Sequence, residues 1–327
     1  MLYLNTGAAP RRTLHIDPHA AADAGHAIWL DLVTPTDEER SAAERATGLR
    51  VPAQAELAEI ESSSRLSTEG RAIYLSTPMT YRAADGMSLT APLGFVLSPD
   101  HLMTVRFAEM PVFDLVAERF AGAGGPPSAV GGFLGLLEAI VDRLADALEH
   151  VGADLDGISR RVFRPERDGG RNAVRMDAQL RATLRAVGRA GERASNVRDS
   201  LLGVQRIVLY ASDVAAAWIP REMHPRFQTL RQDIVSLTDY DNQLTNKVQF
   251  LLDATLGFIS IEQNNGIKVL TVVSVVGVPP TLMASIYGMN FKSMPELQWE
   301  HGYAYGLTVI VLSAILPLVW FKKRGWI

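Results

Sequence analysis

Two uncharged runs in the last sixty residues set the hydrophobic pattern of this chain apart. Val269 to Phe291 is 23 residues without a charge, and Gly302 to Phe321 is another 20. Each is long enough to cross a hydrocarbon core of roughly 30 Å at about 1.5 Å per residue. The pattern predicts two membrane helices joined as a hairpin by a ten-residue loop. Tyr287-Gly288-Met289-Asn290-Phe291 closes the first run, and Met294-Pro295-Glu296-Leu297 follows in the loop.

Upstream, Pro225 and Pro279 bracket 53 residues without a proline. Within them Phe227, Leu230, Ile234, Leu237, Leu244, Val248, Leu251 and Phe258 recur at sums of three and four, apart from a polar gap around Asp241. That is heptad-like periodicity. One helix of about 80 Å, a soluble stalk running straight into the first span, is the simplest reading. Its apolar seam calls for partners, which predicts an oligomer. Val130 to Tyr210 reads as two long helices around a break near Pro165 to Gly170.

Residues 27 to 130 read as mixed α/β. Ala27 to Val33 is strand-like, and Thr34-Pro35-Thr36 starts a helix with Asp37, Glu38 and Glu39 in its first turn. Arg71 to Tyr81 and Leu89 to Phe107 hold further β-rich runs broken by Gly and Pro. The Gly-rich stretch Ala121 to Pro127 lacks a following Gly-Lys-Ser/Thr, so it reads as a linker and not a phosphate cradle.

Composition alone hides this division. With 327 residues, 21% charged and a net charge of -4, the average is that of a soluble protein. No cysteine is present, which excludes disulfides and thiolate metal sites. Met1 to Arg12 has no apolar core of signal-peptide length. Lys322, Lys323 and Arg324 follow the second span and Lys268 precedes the first, whereas Lys292 is the one cation of the loop. The positive-inside rule then places both termini in the cytoplasm and the loop outside. Arg175, Arg181, Arg185, Arg189 and Arg193 form a basic stripe at nearly four-residue spacing. A solvated face pairing with acidic neighbours explains it better than nucleic acid, which is not expected as a partner.

The first span is polar on one side. At 100° per residue, Thr271, Ser274, Thr281 and Ser285 share a face with Ile267 and Val278, and Asn264, Ser260 and Asp253 extend it toward the cytoplasm. The whole stripe fits an arc of about 100°. One or two hydroxyls in a membrane helix satisfy themselves on the carbonyl four residues back. Four on one face, continued by Asn264 and Asp253, favour a helix lining a watery pore. Ile267 and Val278 would then be hydrophobic constrictions.

Gly288-Met289-Asn290 after a span, then Met294-Pro295-Glu296-Leu297, a second span and the Phe321-Lys-Lys323 tail, resembles the CorA family of magnesium channels. Lys268-Val-Leu-Thr271 extends the likeness, and Trp29 to Pro35 and Leu102 to Arg106 resemble its cytoplasmic domain more loosely. The resemblance implies an α+β chain that forms a homopentameric funnel: a cytoplasmic α/β domain over 1–130, a cytoplasmic helical region over 131–225, and a stalk and pore-lining helix over 226–290 with its membrane part at about 268–288. A periplasmic loop over 291–301, a second transmembrane helix over 302–321 and a basic cytoplasmic tail over 322–327 complete it. It implies a multi-pass protein of the bacterial inner membrane, in contact with lipid. Its transported and regulatory ligand would be Mg2+, with Co2+ a possible second cargo.

The resemblance also assigns roles. Asn290 would be the outer selectivity residue, with Gly288 and Met289 shaping the mouth and Tyr287 supporting it. Amides and carbonyls suit an ion that keeps its waters. Glu296 would capture ions in the loop, and Asp253 would form an acidic ring at the cytoplasmic end. In the family, Mg2+ held between cytoplasmic domains shuts the pore; Asp114 and Asp233 are candidates for that site. Zinc transport within the same superfamily and a non-conducting membrane-anchored sensor or scaffold are the alternatives. No Ser/His/Asp constellation or nucleotide loop suggests an enzyme among seven histidines.

Overall fold

The computed structural model describes residues 1–5, 12–14, 27–59, 61, 65–83, 86–121, 128–163, 173–289 and 294–326. Its contacts divide into two units, Met1–Pro165 with Arg185–Leu251, and Glu166–Leu184 with Leu252–Ile327.

The first unit is built on a seven-stranded mixed sheet. Its strands are β1 (Leu2–Asn5), β2 (Arg12–Leu14), β3 (Trp29–Val33), β4 (Leu66–Glu69), β5 (Ala72–Arg82), β6 (Ser88–Leu97) and β7 (Leu102–Arg106), in the order β2-β1-β3-β7-β6-β5-β4. β3 and β7 run parallel, and the other neighbours are antiparallel. Alternation along β3 explains how the sheet is covered on both faces. Leu30 and Leu32 join Val96, Met103 and Val105 in a buried cluster with Ala43 of helix α1 (Asp37–Thr47) and Leu57 of helix α2 (Gln54–Leu57). Trp29, on the opposite face, meets Phe113 and Phe120 of helix α3 (Pro111–Ala121), with ring centroids 6.4 and 5.9 Å apart.

Helix α1 starts where its acidic first turn predicts. Thr36 Oγ1 accepts from the Glu39 amide, and the Glu39 carboxylate accepts from the Thr36 amide. This reciprocal cap is worth about 1 kcal/mol.

Helices α4 (Ala129–Phe163) and α5 (Ala173–Val214) fall on either side of the expected break, whose residues 164–172 lie outside the described ones. Helix α6 (His224–Tyr287) is 64 residues long and continues from the first unit into the second. Within the first unit its seam is closed by the chain itself. Phe227, Leu230, Ile234, Leu244, Val248 and Leu251 are buried and Leu237 is half-buried. Arg226 pairs with Glu138 of α4 at 2.6 Å, Lys247 with Asp156 of α4 at 2.5 Å, and Arg198 of α5 with Asp241 at 2.5 Å. Phe163 stacks on Phe250 at 5.6 Å. The expectation that this seam needs other copies is therefore corrected: α4 and α5 cover it from Phe227 to Leu251. Phe258, beyond them, is 37% exposed.

The polar gap at Asp241 turns out to be a buried carboxylate, 1% exposed, in the middle of that seam. Helix α5 in turn lies close against β5. A Cβ on Gly203 would come within 1.8 Å of Thr77 Oγ1 and 2.8 Å of Thr77 Cβ, so only glycine fits there.

The second unit holds the membrane-length part of α6, a 3-10 turn at Pro295–Gln298 and helix α7 (Gly302–Lys323). The first span ends four residues before the uncharged run does. The Gly288 amide bonds to Ala284 O at 3.0 Å and the Met289 amide to Ile286 O at 3.2 Å, closing the last turn before the motif is complete.

Candidate ion pathway

Both expected spans are single helices. Their best 18-residue windows have mean hydropathy 1.9 in α6 and 2.1 in α7, long and apolar enough to cross a membrane. Pro279 and Pro280 lie inside α6 without ending it. In a membrane the alternative to a helix is unpaired backbone in hydrocarbon, so prolines that would break a soluble helix are tolerated.

The covered face of α6 in this unit is narrow. Val272, Val276, Pro279, Pro280, Met283 and Tyr287 are half-buried, recurring at three and four residues. Contacts with α7 and its tail mark this side at both ends. A Cβ on Gly306 would lie 4.0 Å from Tyr287 Cδ2, and Lys268 Nζ sits 6.0 Å from the Trp326 ring centroid. Glycine at 306 lets the helices approach closely.

The polar stripe points elsewhere. At 100° per residue its centre is about 150° around α6 from the covered face. Asp253, Asn264, Ile267, Ser274, Val278, Thr281 and Ser285 are exposed, and Thr271 at the edge of the stripe is half-buried. Ile267 and Val278 are each 62% exposed. Thr271 Oγ1 donates to Ile267 O and Thr281 Oγ1 to Gly277 O, both at 2.8 Å. The bland expectation for membrane hydroxyls is thus met at these two residues, while their oxygens keep lone pairs that can accept from water.

At the far end of the span, Met289 is exposed and directly precedes Asn290, which lies outside the described residues together with Phe291, Lys292 and Ser293. The backbone of Glu296 falls in the 3-10 turn. Trp299 and Tyr305 pack edge to face at 5.6 Å beside it, aromatic residues of the kind that settle at a membrane surface.

The two carboxylates considered for a regulatory metal are both in the first unit. Asp114 is exposed in the first turn of α3, and Asp233 is exposed on α6. Among the described residues no group of three or more His, Asp or Glu side chains converges to hold a metal ion. One copy of the chain does not assemble such a site from them.

Sequence reasoning missed a buried polar network at the centre of the sheet. Arg106 pairs with Asp31 at 3.0 Å, and both side chains are buried. Thr104 Oγ1 donates to Asp31 Oδ1 at 2.8 Å and accepts from Trp29 Nε1 at 3.0 Å. The Arg106 guanidinium also lies over the Phe113 ring at 4.7 Å. The signal was a charged residue in each of two apolar strands, Asp31 in the middle of β3 and Arg106 at the end of β7.

A mixed-sheet unit, a long helix leaving it to become the first of two membrane-length segments, and a polar stripe on that helix's exposed face are the architecture expected of a two-span membrane transport protein. The family of CorA-like Mg2+ transporter proteins matches residues 24–323, and the chain belongs to it. It is 33% identical over 310 residues to the magnesium transport protein CorA of Yersinia pseudotuberculosis, covering 93% of each chain. It is 33% identical over 307 residues to the magnesium transport protein CorA of Escherichia coli K12, covering 92% of each. Its fold is that of the complete CorA magnesium transporter of Methanocaldococcus jannaschii: TM-score 0.75 at 17% identity, covering 100% of this chain and 99% of that one.

Proposed function

We propose that this chain is a divalent-cation channel that carries Mg2+ across the bacterial inner membrane, with both termini in the cytoplasm. The observation that carries the reading is the polar stripe of α6, which faces away from α7 and, apart from half-buried Thr271, is exposed among the described residues. Copies arranged around an axis, five by family resemblance, would turn these stripes inward. Thr271, Ser274, Thr281 and Ser285 would then meet a column of hydrated ions. Asn264 and Asp253 would stand at the cytoplasmic end, and Ile267 and Val278 would form the dry constrictions.

Mg2+ gives up its waters reluctantly, so selectivity falls to groups that bond the water shell. Asn290 takes that role, with Gly288 and Met289 shaping the mouth, Tyr287 supporting it and Glu296 concentrating cations nearby. Cytoplasmic Mg2+ bound between copies, with Asp114 and Asp233 as contributors, would close the pore. Co2+ is the candidate second cargo. The relatives named for magnesium and the Met294-Pro295-Glu296-Leu297 loop favour this reading over zinc.

Ion flux into proteoliposomes tests it. Mg2+ entry is expected to exceed Zn2+ entry, and Asn290→Ala is expected to abolish it at unchanged expression and oligomer size. Normal Mg2+ flux in that variant would overturn the selectivity assignment. The absence of any flux in the unaltered protein would leave the sensor or scaffold reading standing.

A further inference from the structure

Two adjoining cavities, of about 370 and 560 Å³, open where helices α4 and α5 meet the β5–β6 hairpin. Gly86, Ser88, Asp154 and Arg193 line both. Arg82, Arg143 and His150 line the first, and Arg161 and Arg189 the second. The lining carboxylates are Asp154 and Glu192. Asp154 is already satisfied, because Arg193 Nη2 donates to its Oδ2 at 2.6 Å.

Arg82, Arg143, Arg161 and Arg189 have no ion pair or side-chain hydrogen bond among the described residues. Among the described residues, four guanidinium groups without an ion pair therefore line the two cavities from one strand and two helices, and Glu192 is the lining carboxylate not already paired, in a chain of net charge -4. Like charges so gathered repel one another, and Arg189 and Arg193 are neighbours four apart on one helix. A solvated helix face would spread such charges along one element. Here three elements aim them at one cleft.

The cleft also has a fixed frame. Asn196 Nδ2 donates to Ser88 O at 3.0 Å, the Thr80 amide donates to Ser200 Oγ at 3.0 Å, and the Thr80 and Ser88 hydroxyls meet at 3.0 Å. These bonds tie α5 to the hairpin, so the arginines are presented on elements that are held together. Leu144, Val151 and Val197 give the first cavity a buried apolar floor.

We propose that this cleft binds a polyphosphate anion. Guanidinium forks match phosphate oxygens two at a time. Groups spread over two cavities with a shared wall suit a chain of phosphates better than a single one. A nucleoside triphosphate and free inorganic triphosphate offer the same chemistry, and the apolar floor leaves room for a base. The inference does not rest on the transport reading, since its readout is binding and not flux.

The test uses the full chain in detergent with a chelator present, titrated with ATP and with inorganic triphosphate by calorimetry. Saturable binding that weakens with added salt is expected. It should weaken about tenfold or more in Arg161→Gln/Arg189→Gln and in Arg82→Gln/Arg143→Gln. Arg231→Gln, an exposed arginine of α6 outside the cleft, should bind like the unaltered chain. Equal affinity for the two anions supports a phosphate-chain site, and tighter ATP binding supports the nucleotide as its source. No saturable binding of either, or equal binding by the cleft variants, overturns the proposal.

Discussion

Asp31 and Arg106 face one another across β3 and β7, 75 residues apart in sequence, with hydrogen bonds from Nε to Oδ1 at 3.2 Å and from Nη2 to Oδ2 at 3.0 Å. The pair is bidentate and both partners are buried. Thr104 supplies a further donor to the carboxylate, and Ala108 O accepts from Arg106 Nη1 at 3.2 Å. Removing one partner of such a pair strands a buried charge, which costs about 3–5 kcal/mol. Asp31→Ala should therefore lower the thermal midpoint sharply, while Asp31→Leu combined with Arg106→Met should recover much of the loss. Thermal unfolding in detergent measures both. A double variant as unstable as the single one would mean that the pair itself, and not the avoidance of a stranded charge, supplies the stability.

Asp241 is the opposite case. Burial pushes its carboxyl above the usual carboxylate range, and the hydrogen bond and charge of Arg198 pull it only part of the way back. Oδ1 has no hydrogen-bond partner among the described residues, while Arg198 also donates to Asn242 Oδ1 and Thr245 Oγ1. A raised native value means that the folded state holds the proton more tightly than the unfolded chain does. The linked stability is fully present below the unfolded value, about 3.9, and is lost as pH rises through the raised native one. Asp241→Asn should thus equal or exceed the unaltered chain in thermal midpoint at neutral pH. Its advantage should shrink as pH falls through that window. A large neutral-pH loss in the variant would show that the attraction of Arg198 outweighs the burial cost.

What could be read ahead of the structure was what repeats locally. The acidic first turn after Thr36 announced α1, and apolar alternation announced β3. A proline-free run with heptad spacing announced α6, and two uncharged windows announced the hairpin. Periodicity shows that a face is covered but not by what. The same spacing from Phe227 to Leu251 fits a partner copy and a neighbouring helix equally well, so α4 and α5 could not be recognised as its cover. Long-range pairings such as Asp31 with Arg106, or Arg198 with Asp241, leave no local trace beyond a charge in an apolar setting. The polar stripe was legible because a helix turns 100° per residue whatever surrounds it. That it lies opposite the face against α7 depends on tertiary packing.

Close approach of α5 to the sheet gives a sharper test of packing. Thr77 is fully buried beneath Gly203, and a Cβ there would overlap its hydroxyl at 1.8 Å. Overpacking of this kind costs about 1–3 kcal/mol. Gly203→Ala should lower the thermal midpoint, and Thr77→Ala added to it should restore part of the loss by removing the colliding hydroxyl. Independent, additive losses would show that the two positions do not meet.

The stripe and the covered face of α6 predict opposite responses to the same chemical change. Val278 is 62% exposed on the stripe, and Met283 is half-buried on the side toward α7. A hydroxyl at a dry constriction helps water and hydrated ions to enter, so Val278→Thr should raise Mg2+ flux several-fold with little change in thermal midpoint. Met283→Thr places the same hydroxyl between helices and removes apolar contact there. It should lower the midpoint by an amount equivalent to about 1–3 kcal/mol without raising flux. Flux into proteoliposomes and thermal unfolding, measured on both variants, separate the two faces. If Met283→Thr opened the pathway and Val278→Thr did not, the conducting face would be the one turned toward α7, and the inward-facing assignment of Thr271, Ser274, Thr281 and Ser285 would fall with it.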